Sequence, residues 1–224
     1  MPSPVAVLCT SGLAIEAKIA RAAGFSVVIG AGDRYRTKTL VETVAARTKC
    51  LVSFGIAGGL APELKAGTII VSGQVISESG RWGVEPVYRA RLSQFARAIG
   101  AVEGSTFGAS STVATQTEKR SVWKATGALA VDLESDIVAR IATSLGVPFI
   151  VLRTIADTAR RDLPPAALIP LCSDGTPHLR RVVGALLRRP FQLPELAKLA
   201  QETRTALSAL ISPTWALRGF VGTA

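Results

Sequence analysis

Two acidic side chains, Glu134 and Asp157, stand at the two ends of a stretch whose pattern predicts a ligand site. Glu134 opens an amphipathic run that predicts a helix ending at Gly146. Residues 149–152 are apolar and predict a strand buried on both faces, as in a parallel sheet covered by helices. Asp157 follows a few residues later, at the edge where open α/β sheets bind their ligands. We therefore expect the two carboxylates to belong to one active site.

A glycine-rich segment, residues 55–59, follows a second apolar run at residues 50–54. We predict a central strand over the apolar run and a loop over the glycines. Glycines at a strand end let a ligand approach the backbone, and free N–H groups there can hold a sugar or phosphate oxygen, although a tight structural turn has the same composition. The segment has neither the lysine of a P-loop nor the G-x-G-x-x-G spacing, so a nucleoside triphosphate site is not expected.

The elements that would position these residues alternate between strands and helices. Further strands are predicted at residues 4–9, 25–30, 68–77, 102–107 and 128–131, and further helices at 13–23, 37–47, 87–99, 118–125, 179–187 and 193–211. Residues 78–85 are predicted as a polar loop and residues 109–114 as an edge segment. This alternation predicts an α/β fold, a three-layer α/β/α sandwich with extra C-terminal helices.

The length of 224 residues is that of one domain, residues 1–224. From about residue 160 the chain forms an apolar and basic extension. The net charge is +10, and from residue 160 onward nine basic residues face four acidic ones. The chain has only twelve aromatic residues and no basic run of five, so nucleic acid is not an expected partner. Two interpretations of the basic tail remain open. It is either an ordinary solvated surface or, more specifically, a surface attracted to an anionic membrane.

The remaining composition favours a cytoplasmic protein without a metal site. No uncharged apolar run reaches the roughly 18 to 20 residues of a membrane span. The N-terminus carries Glu16 inside its apolar stretch, which does not resemble a secretory signal. The three cysteines are far apart, which predicts neither a disulfide framework nor a metal site, and His178 is the only histidine, which excludes a histidine-rich zinc site.

Three separated segments resemble the nucleoside phosphorylase and nucleosidase superfamily, particularly its methylthioadenosine/S-adenosylhomocysteine nucleosidase branch. They are residues 55–62 (GIAGGLAP), 131–135 (VDLES) and 147–157 (VPFIVLRTIAD). The C-terminal part resembles a narrower group, the hopanoid-associated phosphorylase-like proteins of bacteria, at residues 163–168, 174–176 and 186–190. The resemblance implies a central mixed sheet, a homodimer or higher homo-oligomer, and removal of adenine from adenosylhopane, a nucleoside joined to a large triterpenoid.

The resemblance also implies a role for individual residues. Glu134 matches the carboxylate that accepts hydrogen bonds from both ribose hydroxyls, and Asp157 matches the acid that hydrogen-bonds or protonates purine N7. Glu16 matches the carboxylate that positions and deprotonates the attacking water. Leu133 stands where the family usually has a methionine against the sugar, and Val113 where main-chain groups read the adenine edge. Two carboxyl groups with different pKa values can divide the work: one acts as an acid toward the leaving purine, and the other assists the nucleophile that attacks the sugar.

Departures from the family pattern concern the acceptor and the base. Ile56 replaces a serine or threonine, and Ser53 stands where hexameric phosphorylases carry a phosphate-clamping arginine. Water is therefore favoured as acceptor, with phosphate a candidate co-substrate if Arg34 or Arg36 reaches the site from a neighbouring loop or subunit. Thr112 replaces an aromatic residue that stacks on the base. The predicted substrate-binding residues are, in full, Gly12, Ile56, Gly58, Thr112, Val113, Leu133 and Glu134.

The first hypothesis is therefore cleavage of the N-glycosidic bond of a purine nucleoside with a large apolar substituent, with no cofactor, in the cytoplasm or at the inner face of the membrane. A second keeps the chemistry and changes the substrate to methylthioadenosine, S-adenosylhomocysteine or a free purine nucleoside. A third, since fold does not guarantee chemistry, is a non-catalytic protein that binds a nucleoside or a lipid.

Overall fold

Eight strands and seven α-helices follow each other along residues 7–222, the part of the chain that the computed structural model describes. The strands are β1 (Val7–Ser11), β2 (Ser26–Ile29), β3 (Cys50–Gly59), β4 (Ile69–Ser77), β5 (Gly80–Gly83), β6 (Val102–Gly108), β7 (Ala130–Asp132) and β8 (Phe149–Asp157). The helices are α1 (Ala14–Ala22), α2 (Arg34–Ala45), α3 (Pro86–Ala98), α4 (Gln116–Thr126), α5 (Ser135–Leu145), α6 (Leu179–Arg188) and α7 (Leu193–Gly222). Short 3-10 turns at Pro165–Leu168 and Pro190–Gln192 precede and follow α6. The strand predicted at residues 4–9 begins with residues 4–6, which lie outside the described residues.

All eight strands form one mixed sheet that partly closes on itself. The order is β2-β1-β3-β7-β6-β4-β5, and β8 pairs with both β3 and β4. β8 thereby links β3 and β4 into a ring that β7 and β6 complete. Five strand pairs are parallel and three, β3–β7, β4–β5 and β4–β8, are antiparallel. The predicted mixed sheet is confirmed.

Helices cover both faces of the sheet, because successive side chains of its buried strands point to opposite sides. Leu51 of β3 and Val151 of β8 pack with Ile137 of α5 in one apolar cluster, which also contains residues of α2. The next residues along each strand belong to a second cluster, with residues of α1, α3 and α7. The predicted three-layer α/β/α sandwich is confirmed, and the long α7 supplies the predicted C-terminal helical extension.

The two strands that lead to the site are longer than predicted. Residues 55–59 form the last half of β3 instead of a loop, and Asp157 is the final residue of β8 instead of lying beyond it. The register of this pair shifts so that Gly58 lies opposite Asp157. A Cβ at Gly58 would lie 3.1 Å from Val131 Cγ1 and 3.3 Å from Asp157 Oδ2. The glycines therefore let three strands approach closely, which a loop prediction from composition does not anticipate.

Two connections also differ from the predicted loop and edge segment. Residues 78–85 contain β5, which forms a hairpin with β4 and pairs Trp82 with Val75. Residues 109–114 do not form an edge strand, because their backbone groups bond elsewhere: Ala109 N–H donates to Asp132 O, and Ala114 N–H donates to Glu118 Oε2. This segment therefore runs as an irregular connection into α4, which it reaches at Thr115.

Helix α7 continues to Gly222 although the sequence predicts an end at residue 211, before Pro213. Packing outweighs the helix-breaking tendency of proline here, because Leu210, Pro213 and Leu217 are buried on the same side of α7. Arg218 Nη1 also donates to Ala23 O at 2.9 Å. Within residues 7–222, none of the helices combines the length and apolar character that a membrane crossing requires.

Candidate active site

A cavity of about 260 Å³ lies where β3 and β8 end beside the first turns of α1 and α5. Eight of the nine residues that the sequence predicts for the site line it: Gly12, Glu16, Ile56, Gly58, Thr112, Leu133, Glu134 and Asp157. The ninth, Val113, is half-buried against an apolar cluster that contains Leu60 and Phe107, and does not line the cavity. The cavity wall is completed by Leu13, Gly32, Ala57, Val131, Asp132, Arg153, Ala156 and Leu171.

Volume alone does not locate this site, because a larger cavity of about 390 Å³ lies elsewhere, beside α3. Its walls include Tyr88, Arg91 and Phe149, and its only acidic residue is Glu85. Two further cavities, of about 410 and 560 Å³, are lined by no acidic residue among residues 7–222. The smaller cavity is lined by four carboxyl groups. Burying a carboxylate costs free energy, and such groups therefore occur mainly where they are paired or take part in function. We therefore assign the chemistry to the smaller cavity.

Glu16 lies in the first turn of α1, and its buried carboxyl group contacts β3. Its Oε2 accepts from Gly12 N–H at 3.0 Å and Leu13 N–H at 2.8 Å, and its Oε1 accepts from Ile56 N–H at 2.7 Å. Burial raises the pKa of Glu16 to about 7, although Arg153 and the Ile56 and Leu13 N–H groups act to lower the pKa. A carboxyl group with a pKa near neutrality can both take up and release a proton at physiological pH.

Two glycines, Gly55 and Gly12, provide space for the carboxyl groups of Glu16 and Glu134 because they have no side chain. Gly55 has φ +142°, and a Cβ there would lie 2.3 Å from Glu16 Oε1. A Cβ at Gly12 would lie 2.9 Å from Glu134 Oε1. A Cβ at either position would therefore force the facing carboxyl group to shift, and the larger overlap is at Gly55.

Arg153 of β8 is the centre of a buried ion-pair network that sequence reasoning missed. Only 1% of the residue is exposed. Its Nε lies 3.0 Å from Asp132 Oδ2 and its Nη2 lies 3.0 Å from Glu134 Oε2. Nη2 also donates to Ser53 Oγ at 2.7 Å and Nη1 to Ile56 O at 3.1 Å. The guanidinium therefore fixes the end of β7, the start of α5 and the middle of β3 relative to each other.

Glu134 stands immediately before α5 and directs one carboxylate oxygen at Arg153. Burial raises the pKa of Glu134, Arg153 acts to lower it, and the neighbouring Asp132 acts to raise it again. Asp132 Oδ1 accepts from the N–H groups of Glu134 at 3.0 Å and Ser135 at 2.8 Å, which fixes the backbone at this turn. Arg153 donates to Glu134 Oε2, which leaves Oε1 beside Gly12 at the cavity wall, where it can accept from a ligand.

Asp157 at the end of β8 is paired with a fully buried lysine, Lys119 of α4, which sequence reasoning also missed. Lys119 Nζ donates to Asp157 Oδ2, to Thr158 O at 3.0 Å and to Arg161 O at 2.9 Å, so all three of its protons are used. Burial raises the pKa of Asp157, and the ammonium group of Lys119 acts to lower it. The lysine thus fixes one carboxylate oxygen and leaves Oδ1 for a ligand.

The two arginines considered for phosphate binding are committed to other groups. Arg34 makes a bidentate pair with Asp136, at 2.8 and 2.6 Å, and its Nη1 also donates to Ala109 O and Leu133 O. Arg36 donates through Nε to Ile29 O at 3.2 Å. Arg34 therefore acts as a tie between α2, α5 and the connection after β6, and neither arginine lines the cavity.

The cavity therefore contains carboxyl groups that can exchange protons, Glu16 and Asp157, and one that can accept hydrogen bonds from hydroxyl groups, Glu134. The three residues come from different elements: Glu16 from α1, Asp157 from the end of β8, and Glu134 from the position just before α5. A three-layer sandwich around a mixed sheet, with such a cavity at the strand ends, has the architecture of nucleoside phosphorylases and nucleosidases.

Comparison with known proteins places the chain in that family. The sequence profile of the Phosphorylase superfamily matches residues 25–187, and the chain belongs to this family. No curated protein sequence matches the chain. The expected superfamily membership is confirmed, and the narrower hopanoid-associated group stays a prediction.

Solved structures with the same fold cover nearly the whole chain at low sequence identity. The 5′-methylthioadenosine/S-adenosylhomocysteine nucleosidase of Neisseria meningitidis, in complex with methylthio-immucillin-A, is 14% identical, with a TM-score of 0.66 over 98% of this chain and 100% of that one. The S-adenosylhomocysteine nucleosidase of Streptococcus pyogenes is 16% identical, with a TM-score of 0.64 over 96% and 98%. The futalosine hydrolase of Helicobacter pylori is 17% identical, with a TM-score of 0.59 over 93% and 97%.

Proposed function

We propose that the chain is an enzyme that cleaves the N-glycosidic bond of a purine nucleoside. The observation that carries this proposal is the meeting of three buried carboxyl groups, Glu16, Glu134 and Asp157, in one cavity. Burial raises the pKa of each of them. Similar structures are described as nucleosidases and as a futalosine hydrolase, and their shared fold supports the same class of reaction.

In the proposed mechanism Asp157 holds the purine and Glu134 holds the ribose. The bond between C1′ and the purine nitrogen breaks, and its electron pair goes to the purine as Asp157 hydrogen-bonds or protonates N7 through Oδ1. A water oxygen attacks C1′, and Glu16 takes its proton. Glu134 accepts hydrogen bonds from the ribose hydroxyls through Oε1, while Arg153 keeps its other oxygen in place. The sugar gains positive charge in the transition state, which the surrounding carboxylates stabilise.

The substrate that we propose is adenosylhopane, or a nucleoside with a comparably large apolar substituent. Leu171, from the irregular segment between β8 and α6, lines the cavity together with Leu13 and Leu133. This segment is bound to the site, since Ala14 N–H donates to Gly175 O at 3.0 Å. An apolar wall contributed by the C-terminal extension suits a large apolar group better than a polar one. We further propose that the enzyme acts at the inner face of the membrane as a homo-oligomer.

A second substrate class is favoured by the solved structures, which include nucleosidases named for methylthioadenosine and S-adenosylhomocysteine. Adenine release from adenosylhopane, methylthioadenosine, S-adenosylhomocysteine and adenosine separates the candidates. We expect the highest kcat/KM for adenosylhopane. The matched variants are Glu134→Ala, at the site, and Glu42→Ala, exposed on α2. Loss of a charged hydrogen bond to ribose predicts a decrease of about 10- to 100-fold in kcat/KM for Glu134→Ala, and no change for Glu42→Ala.

Absence of adenine release from all four nucleosides, with calorimetry showing that the protein binds adenine, would instead support a non-catalytic nucleoside-binding protein.

A further inference from the structure

Helix α6 presents an apolar strip to solvent that nothing in the described chain covers. Leu179, Val183 and Leu187 recur every four residues and therefore share one side of the helix. They are 71%, 53% and 79% exposed. Phe191 and Leu193, just beyond the helix, are 75% and 57% exposed. None of the residues of α6 is buried.

Arginine side chains lie at both ends of α6 without acidic partners. Arg180 and Arg181 lie in the first turn of α6, and Arg188 and Arg189 at its end. Within residues 7–222, none of the four makes an ion pair or a side-chain hydrogen bond. Residues 175–194 contain no aspartate or glutamate. The strip and the four arginines, together called the α6 surface, are thus both apolar and positively charged.

We propose that the α6 surface binds an anionic lipid bilayer, with α6 lying flat in the headgroup region. An exposed apolar side flanked by basic residues is the composition of helices that lie in a membrane interface. The leucines would enter the acyl boundary, and the arginines would contact lipid phosphates. A second copy of the chain fits this surface poorly, because a two-fold contact would bring the same four arginines of each copy together.

A short segment of chain connects the α6 surface to the cavity. The segment that contributes Leu171 to the cavity wall and Gly175 O to the start of α1 leads directly into Leu179. A bilayer bound at α6 would therefore lie next to the segment that borders the cavity.

Vesicle flotation tests the proposal with two lipid compositions, phosphatidylcholine alone and equal parts of phosphatidylcholine and phosphatidylglycerol. At physiological ionic strength we expect binding to the anionic vesicles only. The Leu179→Ser/Leu187→Ser variant should bind about tenfold or more weakly. The control, Tyr35→Ser/Val87→Ser, removes apolar side chains of similar exposure, 82% and 77%, from α2 and α3 and should bind as the wild type does.

The charge contribution is tested by replacing the four arginines of the α6 surface with glutamine. Each should contribute about fivefold to binding. The matched control removes four exposed positive charges elsewhere: Arg47, Lys49, Arg97 and Lys124 replaced by glutamine. Equal loss of binding in the two fourfold variants would mean that net charge, and not the α6 surface, attracts the vesicles.

Three further results would overturn the proposal. Wild-type protein that does not float with anionic vesicles contradicts it directly. Full binding by Leu179→Ser/Leu187→Ser would mean that the apolar strip of α6 does not enter the membrane interface. A change of oligomeric state in that variant, seen by analytical ultracentrifugation, with unchanged vesicle binding would assign the surface to self-association. Flotation is measured without nucleoside, so its failure leaves the proposed glycosidic activity untouched.

Discussion

The pKa of Glu16 determines the pH range in which the proposed reaction can run. Burial raises it to about 7, and a general base must be ionised to accept a proton from water. Activity should therefore be low below this pKa and increase as the pH rises through it. We expect the plot of kcat/KM against pH to have an ascending limb near pH 7, measured as adenine release.

Glu16→Gln tests the assignment of this limb. The amide cannot take the proton, so kcat should fall about 10²- to 10⁴-fold and the ascending limb should disappear. Glu42→Gln, an exposed substitution on α2, should retain both the rate and the limb. An ascending limb that persists near pH 7 in Glu16→Gln would show that another group is titrating.

Lys119 should set the protonation behaviour of Asp157. Its ammonium group acts to lower the pKa of a carboxyl group whose burial acts to raise it. Deprotonation of Asp157 should produce the descending limb of the pH profile. Lys119→Met removes the largest influence that lowers the pKa of Asp157, so this limb should move to higher pH, and kcat should fall because Asp157 loses its fixed orientation. Breaking a buried pair should also lower the free energy of unfolding by about 3 kcal/mol at neutral pH.

The controls for this prediction separate position from charge. Lys124→Met removes an exposed lysine from the same helix and should change neither the profile nor the stability. Lys119→Arg keeps the positive charge and should retain the wild-type descending limb even if packing lowers kcat. A pH profile that is identical in Lys119→Met and wild type would limit Lys119 to a structural role.

At the scale of elements, β3 must lack a side chain at Gly55, where α1 presents the carboxyl group of Glu16. Gly55→Ala would place a Cβ 2.3 Å from Glu16 Oε1, and the backbone there has φ +142°. We expect a loss of adenine release comparable to that of Glu16→Gln. Gly100→Ala is the matched control, because Gly100 also has positive φ, +66°, but a Cβ there meets no atom within 4 Å.

Urea unfolding and enzyme assays distinguish the two substitutions. Gly100→Ala should cost about 1 to 2 kcal/mol of unfolding free energy from backbone strain alone and keep full activity. Gly55→Ala should lose both stability and activity. Full activity in Gly55→Ala would mean that Glu16 can leave its observed position without consequence.

The same elements show why sequence predicts part of this site and not the rest. The strand and helix ends that carry Glu134 and Asp157 follow from apolar patterns with clear boundaries. Arg153 interrupts the apolar run of β8 as its only charge before Asp157, and a lone charge in such a run is a readable signal of a buried ion pair. Lys119 has no such signal, because its neighbours Glu118 and Arg120 are charged and exposed, as on a solvated helix.

At the scale of the whole molecule, acidic residues outnumber basic ones in the cavity, although the chain as a whole is basic. The chain carries a net charge of +10. The cavity is lined by four carboxyl groups, Glu16, Asp132, Glu134 and Asp157, and by one cation, Arg153. Arg153 is already shared between Asp132, Glu134, Ser53 and the Ile56 carbonyl group. Such a cavity favours a sugar with developing positive charge and disfavours a phosphate dianion.

The acceptor should therefore be water. We expect the rate of adenine release to be the same without and with saturating inorganic phosphate, and the sugar product to be unphosphorylated. Sulfate at equal ionic strength is the control, because a chain with net charge +10 attracts anions at its surface and any salt changes that attraction. A rate that increases with phosphate but not with sulfate, with a sugar 1-phosphate as product, would contradict the expectation. That result would require Arg153 to exchange a carboxylate for phosphate, or another subunit of the proposed homo-oligomer to supply a cation, since Arg34 and Arg36 of the same chain are bound elsewhere.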